Sequence, residues 1–147
     1  MTDAPDSTGI RSLIEAYAQA ADDADGAGIA ALFVPDGVMV VYRDPERPED
    51  ATRRSGQDEI SHAMEGLKRY TLTSHVIANH TSAGTGDVAT STTRCIAHHL
   101  SGDGARRRDL VMHIRYDDTL KRTSDGWRFA ERHIHVIALD DRPAPTG

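Results

Sequence analysis

Eight histidines occur in this chain of 147 residues, and two of them, His98 and His99, stand side by side in RCIAHHL, Arg94 to Leu100. Histidine has an ordinary pKa close to neutrality, so its enrichment points to acid–base or metal chemistry. The stretch around the doublet reads as a strand, in which neighbouring side chains face opposite sides. Only one of His98 and His99 can therefore face a given cavity. His133 and His135, in RHIHVI, share one strand face at i and i+2, a spacing that can seat a metal if a third ligand is supplied. No third ligand is defined, and the pair reads as an outer or subunit-facing polar surface opposite Ile134 and Val136; no metal is expected. Acid collects in DDAD, Asp22 to Asp25, at the C-terminal edge of a predicted helix, where the dipole disfavours it. The lone Cys95 excludes an internal disulfide and reads as a buried, inert thiol.

These residues need a frame. Ile10, Leu13, Ile14, Tyr17 and Ala21 recur at helical spacing, with Ser7 or Thr8 available as cap, and predict a first helix to about Asp22. A short helix over 27–33 is expected to stop at Pro35-Asp36-Gly37. Val38 to Tyr42 reads as a strand, 43–55 as a long loop and candidate lid, and 56–68 as a third helix with Ile60, Met64 and Leu67 on one face. Strands follow over 71–82, 87–101, 108–122 and 127–139, separated by Gly- and Asp-rich turns. Helices first and then a meander of long antiparallel strands means α+β, with about three N-terminal helices packed on one face of the sheet. Strands this long must curve, and a curved sheet wrapped around helices encloses a pocket.

One domain over 10–140 accounts for the length, with a disordered tail over 1–9 and a C-terminal tail over 141–147. A formal charge of −6 argues against nucleic acid, and Arg106–Arg107–Arg108 reads as a solvated rim. No apolar stretch is long enough for a bilayer, and the polar start lacks signal-peptide layout, so neither membrane nor export is expected and the cytoplasm is the expected compartment.

The pieces YAQAADDAD, ALFVPDGV, SGQDEI, TSHVIAN, GDVAT and RYDDTLKRTSDGWRFAER, in this order and spacing, resemble the SnoaL-like branch of the NTF2-like superfamily, near its scytalone dehydratase and steroid-isomerase-like members. The resemblance runs from about Ile10 to Leu139. It implies an α+β cone, a strongly curved antiparallel sheet around the helices, whose mouth admits a small and mostly apolar substrate. It carries over Tyr17 and Asp22 as the tyrosine and aspartate of the first helix, His75 as the sheet histidine of the T-x-H motif, and His99, not His98, as the second sheet histidine. Arg132 is expected either to pair with an acid such as Asp117 or to anchor a polar end of the substrate, since an unpaired buried arginine is costly. His113 is a reserve that could reach the pocket from the neighbouring strand. Trp127 and Phe129 read as core, with Trp127 also grouped with Arg132 and His113 as a substrate-contacting side chain. His62 and His80 read as exposed.

A carboxylate and two imidazoles in an apolar cone suit general acid–base chemistry without a cofactor. The expected activity is a dehydratase, isomerase or cyclase acting on a small cyclic substrate, polyketide-, aromatic- or steroid-like, with Tyr17 polarising an oxygen. The rivals are an epoxide hydrolase or epoxide-opening cyclase of the same fold, and a non-catalytic binding protein or assembly protein like an oxygenase small subunit. The resemblance further implies a homodimer formed through the outer sheet face.

Overall fold

The computed structural model describes residues 5–145. Helix α1, Ser7–Asp22, buries Ile10, Leu13, Ile14, Tyr17, Ala18 and Ala21, the stripe its sequence spacing predicts. Its cap is Asp6, ahead of the expected Ser7 or Thr8: one carboxylate oxygen accepts from the Gly9 N–H at 3.0 Å and the other from the Trp127 indole N–H at 3.2 Å. This double tie orders residues that the sequence assigns to a tail reaching residue 9. Residues 1–4 and 146–147, the outer parts of the two expected tails, lie outside the described residues.

Helix α2, Gly26–Ala30, is shorter than expected because strand β1, Phe33–Tyr42, takes up the segment with Pro35-Asp36-Gly37. The proline is tolerated there because the pairing of β1 with the last strand shifts register between Phe33 and Val38, leaving no ladder position for a missing N–H. The predicted loop over 43–55 ends in a second strand, β2 (Ala51–Ser55), antiparallel to β1. Helix α3 (Gln57–Met64) runs into a 3-10 turn, Glu65–Arg69. Then come β3 (Leu72–Thr85), β4 (Val88–Ser101), β5 (Arg108–Thr123) and β6 (Gly126–Pro143). Strand β6 runs on past the expected end at 139, with Pro143 opposite Arg108 and the Asp141 carboxylate accepting from Arg108 Nε at 2.9 Å, so the expected C-terminal tail is partly strand.

Together these form one six-stranded, curved and unclosed sheet in the order β2-β1-β6-β5-β4-β3. Its neighbours are antiparallel apart from β1 and β6, which run parallel. Register shifts between Ile77 and His80, between His113 and Ile114, and between Thr119 and Leu120 bend the long strands. No helix among the described residues is long and apolar enough to cross a membrane.

At the centre lies a charge. Arg132 on β6 is fully buried and its Nε donates to Asp118 of β5 at 3.0 Å, both side chains being inaccessible to solvent. Arg132 pairs with an acid, the first of the two expected alternatives, but the acid is not the Asp117 named as an example: the β5–β6 register sets Asp118 directly opposite Arg132, while Asp117 faces outward against Arg115. The guanidinium carbon sits 3.7 Å from the ring centroid of Tyr116, 4.1 Å from that of Tyr17 and 4.4 Å from that of Phe129. Three aromatic faces therefore take the place of water around it. Burial pushes the Asp118 carboxyl up to about 6, with Arg132 acting in the opposite direction.

Removing one partner leaves the other as a buried, uncompensated charge, an effect of about 3–5 kcal/mol. Asp118→Ala should therefore lose most of the urea resistance of the protein at pH 7. The paired replacement Arg132→Met with Asp118→Leu should lose much less. Equal losses in the single and paired variants would show that volume, not charge, governs this position.

Candidate active site

Helix α1 ends against the sheet at Asp22, and that contact builds the site. The Asp22 carboxylate accepts from the His75 ring at 2.7 Å, from the His75 backbone N–H at 3.1 Å and from the Thr73 hydroxyl at 3.1 Å. These donors on β3 balance an acid at the helix end where the dipole is unfavourable. Because Nδ1 of His75 faces the carboxylate, the neutral ring keeps its proton there and leaves Nε2 free as an acceptor. The His75 side chain is 7% exposed and the Asp22 side chain 28%.

His99 is the buried member of the histidine doublet, 4% exposed, on the inner face of β4 with Ala97 and Cys95. His98 lies on the outer face beside Arg94 and Ile96, where its ring meets Asp109 at 2.7 Å. The sequence assignment of His99 to the cavity side agrees with this register. His99 Nδ1 faces the carbonyl of Leu110 at 3.1 Å, so its proton sits there and Nε2 is again the free nitrogen. The two imidazoles stand edge to face with centroids 5.6 Å apart. Burial lowers the pKa of His99, and the neighbouring His75 and Arg69 push it the same way against the Leu110 carbonyl and Asp109. The ring is therefore a neutral acceptor at neutral pH.

Both histidines line a cavity of about 130 Å³ whose other walls are Tyr17, Tyr116, Ile114, Ile134 and Val136 from the core side, and Met64, Leu67 and Tyr70 from α3 and the turn after it. Engineered cavities of roughly 150 Å³ accept a benzene-sized ligand, so this space suits a ring. Tyr17 and Tyr116 lie edge to face at 5.8 Å, and burial raises the Tyr17 phenol to about 12 and that of Tyr116 well above its ordinary value. Both therefore stay protonated as hydroxyl donors. Tyr70 tilts over His99 with centroids 4.9 Å apart.

Four of the sequence candidates, Tyr17, Asp22, His75 and His99, meet at this cavity, with Asp22 behind His75 and outside the lining. Three do not. Arg132 lies beneath Tyr17 and Tyr116, spent on Asp118. His113 is exposed on the outer face, opposite Ile96, because the even alternation of β5 turns Met112 and Ile114 inward. Trp127 packs at the other end of α1, donating to Asp6, so it is core and touches no cavity wall. His80, expected to be exposed, is a partly buried β3 residue whose Nδ1 meets the Thr93 hydroxyl at 2.8 Å. Tyr116, Tyr70, Arg43 and Arg69 are among the cavity residues that sequence reasoning missed. The alternation Ile114, Tyr116, Asp118 on β5 carried a signal for the first; Tyr70 sits at an irregular junction and carried none.

The loop expected to act as a lid touches the cavity through its first residue, Arg43, and then borders a different space. Asp44, Pro45 and Pro48 line an outer cleft of about 210 Å³ with Tyr42, Arg115 and His135. Tyr42 stacks on His135 at 4.2 Å and its hydroxyl meets His133 Nδ1 at 2.9 Å. His133 and His135 thus face outward, as the sequence suggests, and each has a carboxylate neighbour, Glu131 and Asp117 respectively. Among the described residues no three His, Cys, Asp or Glu side chains are grouped to hold a metal ion.

Compared with known proteins, the sequence matches the SnoaL-like domain profile over residues 2–133. Solved structures with the same fold include one from Novosphingobium aromaticivorans provisionally described as a scytalone dehydratase, with a TM-score of 0.78 at 22% identity, covering 95% of this chain and 92% of that one. A second from that organism, provisionally described as an aromatic ring hydroxylase, gives a TM-score of 0.76 at 22% identity and covers 92% of each chain. A third, an NTF2-like protein with a cystatin-like fold from the same organism, gives 0.72 at 23% identity, covering 90% of this chain and 82% of that one. Among proteins with curated functions, none matches.

The lowered pKa of His99 has a consequence for stability. As pH falls through about 6.5 the unfolded chain takes up a proton that the folded state refuses until its own lower pKa is reached, so stability declines over that window. His80 and His135 are shifted the same way by burial. Asp118, whose carboxyl is pushed up to about 6, acts in the opposite direction over part of this window. From pH 7 to pH 5 the change in urea midpoint should therefore be less unfavourable in His99→Gln than in the parent. An equal change in both would mean that His99 is charged in the folded state.

Proposed function

The chain belongs to the SnoaL-like domain family of NTF2-like proteins, and on that premise we propose that it is a cofactor-independent acid–base enzyme, a dehydratase or isomerase acting on a small, largely apolar cyclic substrate. The observation that carries this reading is the Asp22–His75–His99 cluster: two imidazoles with free Nε2 atoms on an apolar cavity, one of them oriented by a carboxylate. A non-catalytic binding or assembly protein has no need for that arrangement.

In the dehydration reading, Nε2 of neutral His99 takes the proton on the carbon next to a substrate carbonyl. The electron pair moves toward the carbonyl oxygen, which Tyr17 or Tyr116 steadies by donating a hydrogen bond. The neighbouring C–O bond then breaks, and the departing hydroxyl leaves as water with a proton from Nε2 of His75, which enters the cycle as an imidazolium paired with Asp22 and regains its proton from the one His99 has taken. Asp22 is a positioning residue: it fixes the His75 tautomer and balances the positive charge that the ring carries during the cycle. Isomerisation uses the same parts, with the proton returned to a different carbon. Two imidazoles facing one cavity favour dehydration, which needs separate acid and base.

We propose in addition that the protein is a homodimer through the outer sheet face. Val76 and Ile96 are directly paired across β3 and β4 and are 51% and 37% exposed, with Leu72 nearby at 51%. Light scattering should give about twice the 16.0 kDa chain mass; a particle of single-chain mass at high concentration would contradict it.

Asp22→Asn and His75→Ala should each lower turnover of an accepted β-hydroxy ketone by roughly a hundredfold or more, with circular dichroism unchanged. Tyr17→Phe should cost less, since it removes one hydrogen bond and no proton carrier. His98→Ala, on the outer face, should leave turnover near the parent value. Full activity in both Asp22→Asn and His75→Ala would place the acid–base machinery elsewhere. Ligand binding without turnover of any substrate would favour a binding protein.

A further inference from the structure

The cavity has a charged edge that the acid–base chemistry does not use. Arg43, just beyond the end of β1, and Arg69, at the end of the 3-10 turn, both contribute to its wall, and both are exposed. They come from different elements, so two arginines border one cavity. No lining residue is acidic. The ion pairs among the described residues use Arg11, Arg47, Lys68, Arg108, Arg115, Arg122, Arg132 and Arg142, and neither Arg43 nor Arg69 is among them. This occurs in a chain of net charge −6, where acids outnumber bases and an arginine has many possible carboxylate partners.

Arg69 is also held in place. Its guanidinium carbon lies 4.9 Å from the Tyr70 ring centroid and one of its nitrogens donates to the Tyr70 hydroxyl at 3.0 Å. Tyr70 in turn leans on His99. A packed line thus runs from the rim to the reacting nitrogens, and the charge of Arg69 is felt at His99. Most of the donors on that guanidinium remain open, and Arg43 makes no side-chain hydrogen bond among the described residues. Guanidinium groups bind carboxylates in a forked, charge-assisted geometry, and an apolar funnel with a positive rim concentrates anions at its mouth.

We propose that the substrate is an anion: a ring-bearing compound whose carboxylate, or equivalent oxyanion, is held by Arg43 and Arg69 at the mouth while its apolar ring enters the cavity toward His75 and His99. This deepens the acid–base reading of the same cavity by naming its substrate class. Arg43 and Arg69 are then specificity residues, remote from the proton transfers, that fix which end of the ligand points outward.

The test separates charge from shape, using two probes of the same outline, 2-naphthoate and 2-naphthamide, and titration calorimetry on the full chain. The carboxylate should bind about tenfold more tightly than the amide at low salt, and the preference should weaken toward 1 M salt. In Arg43→Gln/Arg69→Gln the preference should fall to within about twofold while amide affinity is retained, and Arg94→Gln on the outer face should leave it intact. Equal affinities in the parent, a preference that survives the double variant, or no binding of either probe at millimolar concentration would each overturn the proposal. The preference should persist in Asp22→Asn. A charge preference in a protein that turns over nothing would sustain this inference while removing the catalytic one; turnover of neutral substrates with no charge preference would do the reverse.

Discussion

A buried guanidinium organises this protein. Arg132 cannot lie in the interior without a counter-charge, and Asp118 supplies it from the adjacent strand. That requirement fixes the β5–β6 register, because a slip of one residue would turn one charge out of the core and strand the other. The remaining surface of the cation is covered by Tyr17, Tyr116 and Phe129, which belong to α1, β5 and β6. Helix and sheet are thereby locked at one depth. The two tyrosines that floor the cavity are held from below by the same charge, so the pair sets the position of groups it never shares with the cavity contents.

Above this floor the site is assembled by the end of α1. Asp22 is an unfavourable residue for a helix C-terminus taken alone, and the sequence shows it as an anomaly. The structure resolves the anomaly through Thr73 and His75, whose three donors converge on the carboxylate. A local conflict offset by a long-range contact is a common mark of a functional position. Here the offset also orients an imidazole, so one interaction joins helix to sheet and fixes a ring at the cavity wall.

Much of this was legible in the sequence, for identifiable reasons. The stripe of α1 and the strand alternation of β4 are strong periodic signals, and the second of these, joined to the family resemblance, correctly divided His98 from His99. What failed was whatever depended on partners distant in the chain. Asp117 and Asp118 cannot be told apart as partners of Arg132 without the β5–β6 register, and the reserve place of His113 at the pocket fails for want of the same knowledge. Strand β2 and the bulged Pro35 were hidden inside segments whose prolines and charges read locally as loop. Trp127 was divided between core and ligand contact, and its bond to Asp6 at a helix cap gives it to the core.

The parallel pairing of β1 with β6 carries a consequence for how the chain reaches this state. Val40 lies opposite His133 and Val41 opposite Ile134, partners separated by roughly ninety residues. The hairpins β3–β4 and β5–β6 can zip from their turns, whereas β1 has no long-range neighbour until β6 has formed beside β5. Closing so large a loop is entropically demanding, and topology of this kind slows folding. The cavity draws its walls from β1, α3 and β6 together. It therefore exists only once the final docking step is complete, and a partly folded chain presents an unfinished sheet edge and no binding site at all.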